Sequence, residues 1–116
     1  MIDHSTLPAT IDIGQAARLL RERPDIQMID VRTSEEFAAA HIPGSQNIPL
    51  AEIARRSRDI AASITGPALL VCRSSARAQV ARDLLARAGK TDLHVLDGGV
   101  VAWAGAGLDL AGGRTR

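Results

Sequence analysis

Short apolar stretches alternate along this chain with longer stretches in which apolar residues recur at helical spacing. The short stretches run from Ile26 to Val31, from Ala68 to Val71 and from Leu93 to Leu96. They predict strands, and the mostly apolar first one is typical of a strand buried on both faces of a parallel sheet. A briefer extended segment is expected at Asn47-Ile48-Pro49.

The helical stretches carry recognisable signals at their ends. Asp12 can cap a helix that Pro24 closes. Thr33 and Glu36 have the spacing of a capping box, which opens a short helix through Ala40. The sequence therefore predicts one helix on either side of the first strand.

Further helices are predicted in the second half of the chain. One runs from Leu50 to Arg56, and a last short one follows the turn Asp97-Gly98-Gly99. A longer helix ends at Gly89. Its predicted apolar face carries Val80, Ala81, Leu84, Leu85 and Ala88. Strands alternating with helices imply an α/β fold with a central, mainly parallel β-sheet and helices on both faces.

The length of 116 residues predicts one domain, 1–116, which buries roughly 60–70% of the unfolded chain's surface. We expect an ordered core at about residues 8–108 and a frayed tail at 112–116. Hydrophobic residues make up 46% and charged residues 23%, as in soluble globular proteins. The net charge of +1 and the aromatic content of 2% give no reason to expect nucleic acid or an anionic membrane as a partner.

Several features of the sequence point to a cytoplasmic protein. A single cysteine cannot form an internal disulfide, which fits a reducing compartment. The segment Met1 to Ser5 lacks the basic start and apolar run of a signal peptide, and no apolar stretch is long enough to span a membrane. The histidines are scattered without metal-ligand spacing, so no metal site is predicted at His4, His41 or His94.

The cysteine stands where a thiolate is stabilised. Cys72 ends a buried strand, and a short polar loop leads at once into a helix. The helix dipole, the N–H groups from Arg73 to Arg77 and the two arginines themselves all favour an ionised, accessible nucleophile. A cation in a first helical turn is unfavourable by roughly 0.3–1 kcal/mol, so Arg77 suggests an anion in the loop mouth. The competing interpretation is that Cys72 is a small buried hydrophobe, against which the polar run argues.

A second strand ends beside this one in the predicted sheet. Asp30 and Arg32 stand at that end, and parallel strands deliver their carboxyl ends to one edge, where sites form. A structural interpretation is also open, in which Asp30 pairs with Arg32 and Glu36 caps a helix. Trp103 is expected to anchor the core.

Three blocks of the sequence, in order, resemble the rhodanese family of sulfurtransferases, and the resemblance covers nearly all of the chain. The first block is Ile29-Asp30-Val31-Arg32 with Glu36-Phe37, His41-Ile42-Pro43-Gly44-Ser45 and Asn47-Ile48-Pro49. The second is Cys72-Arg73-Ser74-Ser75-Ala76-Arg77-Ala78. The third is Leu96-Asp97-Gly98-Gly99 with Ala102-Trp103.

This resemblance implies a rhodanese-like fold and a thiosulfate-type sulfurtransferase. Cys72 would take a sulfane sulfur as a persulfide and pass it to cyanide or to a thiol, a thioredoxin-like protein or a sulfur carrier. Arg73 and Arg77 would bind thiosulfate and steady the loop. The backbone amides of Arg73, Ser74, Ser75, Ala76 and Arg77 would cradle the persulfide. No external cofactor is implied.

The sequence departs from the family pattern at Ser75, where the loop usually has glycine. If this backbone needs a positive φ, a Cβ costs roughly 1–2 kcal/mol. Alternatively, the hydroxyl narrows the pocket or donates a hydrogen bond to the bound sulfur.

Two other functions stay open. A cysteine phosphatase or arsenate reductase of the same architecture uses a loop one residue longer. The shorter loop here suits a single sulfur atom better than a tetrahedral phosphate. A non-catalytic rhodanese-like binding module often lacks the cysteine, which this chain retains.

Overall fold

A computed structural model describes residues 8–112. A parallel sheet of five strands, in the order β1-β5-β4-β2-β3, forms its centre. The strands are β1 (Thr10–Ile11), β2 (Gln27–Asp30), β3 (Gln46–Asn47), β4 (Ala68–Val71) and β5 (Leu93–Leu96). The longest strands therefore lie in the middle, where they are covered on both faces.

Helices cover the sheet from two sides, as predicted for this α/β fold. They are α1 (Ile13–Glu22), α2 (Ser34–Ala39), α3 (Leu50–Arg55), α4 (Ser57–Ser63), α5 (Ala76–Arg87) and α6 (Gly99–Gly105). Leu70 of β4 packs in a core cluster with residues of α3, α4 and α5. Its neighbour Leu69 packs in a second cluster with residues of α1 and α6. Strand alternation thus gives each face of the sheet its own core.

The helix ends confirm the predicted capping. Asp12 accepts from the N–H of Gln15 at 2.8 Å, and the Gln15 side chain accepts from the N–H of Asp12. Thr33 and Glu36 form the second capping box at the start of α2. Gly89 takes a φ of 103° just after α5, which explains why that helix ends there.

Besides small shifts in the bounds of β2, β3 and α3, three details differ from the sequence prediction. Strand β1 was not predicted, because two residues are too few to show a period. Helix α4 was not predicted either, since it begins directly after a break at Arg56 and has no side-chain cap. Val80 was wrongly assigned to the buried face of α5 and is 48% exposed, because the face that packs is set by Ala78, Ala81 and Leu85.

The end of the described chain folds back onto the loop after α2. Ala111 and His41 form an antiparallel bridge, with N–H to O distances of 2.7 and 2.9 Å. The described structure therefore continues past the predicted core boundary at residue 108. The prediction of a frayed tail concerns mainly residues 113–116, which lie outside the described residues, as do residues 1–7 with His4. Within residues 8–112, no helix has both the length and the apolar composition needed to cross a bilayer.

Candidate active site

Two strand ends meet at one edge of the sheet, as the sequence predicted. Asp30 pairs in register with Val71, and the N–H of Val31 donates to the carbonyl of Val71 at 2.8 Å. Cys72 follows directly and leaves the central strand β4 at its carboxyl end. The cysteine and the Asp30–Arg32 segment therefore lie side by side, where sites form in parallel α/β sheets.

Cys72 itself is buried, which corrects the expectation of an accessible nucleophile. Only 1% of the residue is exposed. Its side chain follows the alternation of β4 and belongs to the core cluster of Leu70 and Ala78. Any polar contact to the Cys72 sulfur must therefore come from the loop that begins with it. We call this loop, residues Cys72 to Arg77, the active loop.

The backbone of the active loop is held from outside by α6. The carbonyls of Cys72 and Arg73 accept from the N–H groups of Val100 and Val101, at 2.9 and 3.1 Å. In a trans peptide the N–H points opposite to the carbonyl of the same unit, and no peptide here is cis. The N–H groups of Arg73 and Ser74 consequently point away from α6.

These N–H groups belong to a longer run of unused donors. Within residues 8–112, no protein group accepts a hydrogen bond from the backbone N–H groups of Arg73 through Ala78. The run includes the first turn of α5, where the helix dipole adds positive potential. The active loop therefore offers a set of main-chain donors to an anion next to Cys72.

Gly99 permits the close approach of α6 to the active loop. A Cβ at this position would lie 2.2 Å from the carbonyl oxygen of Cys72 and 2.7 Å from that of Arg73. Gly99 also has a φ of 55°, which side chains rarely adopt. The sequence identified this glycine only as part of a turn, because its contact with the loop joins distant segments.

Ser75 does not adopt the left-handed backbone that would favour glycine. Its φ is 176°, which is extended backbone, so the cost expected for a positive φ does not arise. The hydroxyl accepts from the N–H of Gly98 at 3.0 Å and contacts Asp97 Oδ1 at 3.4 Å and the carbonyl of Ser74. The serine therefore ties the active loop to the turn before α6.

Arg77 is held by a carboxylate of the chain itself. Its Nη1 and Nη2 donate to Oε1 and Oε2 of Glu36 at 2.7 and 2.9 Å. These bonds, together with the N–H of Thr33, lower the pKa of Glu36 to about 2. In turn, the hydrogen bond to Glu36 raises the pKa of Arg77, and the charge of Cys72 adds to this more weakly. The anion inferred from the position of Arg77 is thus Glu36, which sequence reasoning assigned only to capping.

The other arginine of the active loop is not paired with a carboxylate of the described residues. Arg73 is exposed, and no partner for its side chain lies within the described residues 8–112. Its charge is therefore not balanced by a carboxylate within residues 8–112, unlike that of Arg77.

Asp30 and Arg32 form a buried structural pair beneath α2. The Arg32 guanidinium donates to both oxygens of Asp30, at 2.7 to 3.0 Å, and also to the carbonyl of Ala40 at 2.6 Å. The Asn47 amide donates to the carbonyls of both Asp30 and Arg32. These bonds fix the path from β2 into α2, and they position Glu36 over the active loop.

The remaining candidates lie away from Cys72. Trp103 is buried as predicted and donates from Nε1 to the carbonyl of Asp109 at 2.9 Å. His41 and His94 are held by the carbonyls of Phe37 and Pro8. A cavity of about 480 Å³ beside Trp103 opens on the α1 and α6 side of the sheet, and neither Cys72 nor the rest of the active loop lines it. This cavity is therefore separate from the active loop.

Comparison with known proteins agrees with this geometry. The solved structure of BH2092 from Bacillus halodurans superposes with a TM-score of 0.79 at 23% identity, over 93% of this chain and 80% of that one. The chain is 38% identical over 79 residues to the uncharacterized protein YqhL of Bacillus subtilis, covering 68% of this chain and 61% of YqhL. It thus spans less than two thirds of that relative.

A further relative is covered almost completely. The thiosulfate sulfurtransferase GlpE of Pseudoalteromonas translucida is 32% identical over 96 residues, which is 83% of this chain and 89% of GlpE. Residues 13–106 match the family described as the rhodanese-like domain. The chain therefore belongs to the rhodanese-like domain family.

Proposed function

We propose that this protein is a sulfurtransferase that carries a sulfane sulfur as a persulfide on Cys72. The observation that carries the proposal is the run of unused N–H donors from Arg73 to Ala78 beside the lone cysteine. Main-chain donors of this kind stabilise a thiolate and, after transfer, the terminal sulfur of a persulfide. The similarity to GlpE supports thiosulfate or a related compound as the donor.

The first half-reaction loads the cysteine. The Cys72 thiolate attacks the outer sulfur of thiosulfate, a new S–S bond forms, and sulfite leaves with the electron pair of the old S–S bond. In this step the exposed Arg73 guanidinium donates to the sulfonate oxygens. Arg77 uses two of its five N–H donors on Glu36, which leaves three for other acceptors. The step needs no oxidant, reductant or cofactor.

The second half-reaction returns the cysteine to its starting state. Cyanide or a thiolate attacks the terminal sulfur, and Cys72 leaves as the thiolate. The acceptor is a small thiol, a thioredoxin-like protein or a sulfur carrier. Once Cys72 is loaded, an S–S bond of about 2 Å places the reactive sulfur beyond the buried Sγ, so the acceptor does not have to reach Sγ itself.

One observation favours a second candidate, a non-catalytic binding module. Cys72 is packed in the core, and a small apolar residue would fill the same space. In that case the unused N–H groups would simply be hydrated. The two functions differ in whether the sulfur reacts.

Intact-mass measurement after treatment with thiosulfate separates them. We expect the wild type to gain one sulfur atom and to lose it again on addition of cyanide, with release of thiocyanate. Cys72→Ser is the control and should gain nothing. A wild type that stays unmodified contradicts the proposal and favours the binding module, whereas rapid turnover of aryl phosphates would favour the phosphatase alternative.

A further inference from the structure

Glu36 changes the electrostatics of the active loop. Its carboxylate neutralises Arg77 through two short hydrogen bonds, at 2.7 and 2.9 Å. The side chains of both residues are about one third exposed, so the pair lies at the surface, where a solute can reach it. Arg77 can therefore donate hydrogen bonds to a ligand while adding little net positive charge.

The charges that belong to the active loop or contact it do not favour a dianion. Arg73 and Arg77 are the cations of this loop, and the carboxylates of Glu36 and Asp97 contact it. These four charges cancel, and the attacking thiolate of Cys72 adds one negative charge. The nearby Asp30–Arg32 pair is neutral in itself. A thiosulfate dianion would thus find only the main-chain donors and the positive end of α5, about half a charge, to offset a side-chain balance that is already negative.

We propose that Glu36 sets the donor specificity of Cys72, and that the site prefers sulfane-sulfur donors with one negative charge or none over the dianion thiosulfate. This inference rests on the proposed function. The substrate class it names is the thiosulfonates and organic persulfides, which carry the transferable sulfur with less charge. With a thiosulfonate, the Cys72 thiolate takes the outer sulfur and a sulfinate leaves with the electron pair.

Glu36→Gln is a suitable variant, because it removes the charge and keeps the shape. The amide oxygen of glutamine can still accept from the N–H of Thr33, as Gln15 does in the capping box of α1. Glu35→Gln is the matched control. Glu35 lies on the same helix, is exposed, and contacts the hydroxyl of Ser34 rather than Arg77.

The measurement compares two donors that differ by one charge. Thiosulfate and methanethiosulfonate share the reacting S–S bond, and a methyl group replaces one charged oxygen in the second. The rate of sulfur gain by Cys72 is followed by mass spectrometry in single turnovers, without an acceptor. The two donors differ in intrinsic reactivity, so their rates are not compared directly. The test is how the ratio of the thiosulfate rate to the methanethiosulfonate rate changes between wild type and variant.

We expect Glu36→Gln to shift the rate ratio toward thiosulfate by about tenfold, the effect of a unit charge about 6 Å away at an effective dielectric constant of about 40. Glu35→Gln should shift it by less than about twofold, because a more distant, exposed charge is screened. A merely structural role of Glu36 would slow both donors alike. In the wild type, added salt should also move the ratio toward thiosulfate.

The outcomes are distinguishable. If both donors load Cys72 and Glu36→Gln leaves their ratio unchanged, the charge selection is wrong and the sulfurtransferase proposal stands. If neither donor loads Cys72 in the wild type, both proposals are wrong. Should Glu36→Gln fail to fold, the salt series in the wild type decides, and a ratio independent of salt overturns the inference.

Discussion

The active loop is supported from two sides that work by different means. On the α6 side, the support consists of backbone hydrogen bonds, from the N–H groups of Val100 and Val101 to the carbonyls of Cys72 and Arg73. This close contact requires glycine at position 99. On the α2 side, one charged pair, Glu36–Arg77, reaches the loop through side chains that remain partly exposed.

The difference separates loop shape from loop charge. Main-chain hydrogen bonds on the α6 side fix the orientation of the amides of the active loop. Every sulfur donor would meet the same amide orientation. The α2 side sets the local potential, which different donors experience differently. Substitutions near α6 should therefore change stability and all activity together, whereas substitutions on α2 should change donor preference.

The strongest way to break the α6 support is Gly99→Ala. The new Cβ would overlap the carbonyl oxygen of Cys72 and would force a side chain into a backbone conformation with a φ of 55°. Left-handed backbone costs roughly 1–2 kcal/mol and overpacking roughly 1–3 kcal/mol, so we expect a loss of about 3 kcal/mol in the free energy of unfolding. Urea denaturation measures this, and sulfur loading should fall for every donor.

Gly105→Ala is the matched control for that substitution. Gly105 lies in the same helix, and a Cβ there meets no atom within 4 Å in the described structure. We expect unchanged or slightly higher stability, since alanine favours helix more than glycine does. Equal losses for the two variants would contradict the close contact between Gly99 and the active loop.

A smaller effect on the same side is expected for Ser75→Ala. The variant removes the hydroxyl that accepts from the N–H of Gly98 at 3.0 Å. One such hydrogen bond contributes about 0.5–1.5 kcal/mol to the free energy of unfolding. Ser74→Ala is the control, because the exposed hydroxyl of Ser74 has no partner within residues 8–112. Thermal unfolding of both variants tests this, and identical midpoints would show that the Ser75 hydroxyl does not hold the turn.

Local patterns predicted the scaffold of the site well. The bounds of β4 and β5 follow from short apolar runs, and Thr33 with Glu36 defined the start of α2. The position of Cys72 between a buried strand and a helix could also be predicted, because both neighbours have local signatures. These features depend on residues close in sequence, where period and capping determine the outcome.

The contacts that determine the charge of the active loop and the burial of its cysteine were harder to predict. Glu36 and Arg77 are 41 residues apart, and a capping residue has no local mark that shows its second partner. The burial of Cys72 was only the competing interpretation of the sequence, for a related reason. The polar residues after it suggested exposure, but its side chain follows the alternation of β4 into the core.

The smallest predicted effect concerns the α2 side and depends on pH. Since Arg77 lowers the pKa of Glu36 from 4.5 to about 2, the carboxylate form stabilises the folded state. This contribution is complete above pH 4.5 and is lost as the pH falls from 4.5 toward 2. The pair is partly exposed, so we expect less than about 1 kcal/mol.

The comparison of wild type with Glu36→Gln isolates this contribution. The variant cannot titrate at position 36, so the difference in unfolding free energy between the two proteins should be constant above about pH 5 and should shrink toward pH 2. Glu35→Gln should show no such change, because its carboxylate does not contact Arg77. High salt should reduce the difference, as expected for a surface pair. If the difference between wild type and Glu36→Gln persisted unchanged to pH 2, then packing and capping rather than charge would join α2 to the active loop, and the two supports would be more alike than their geometry indicates.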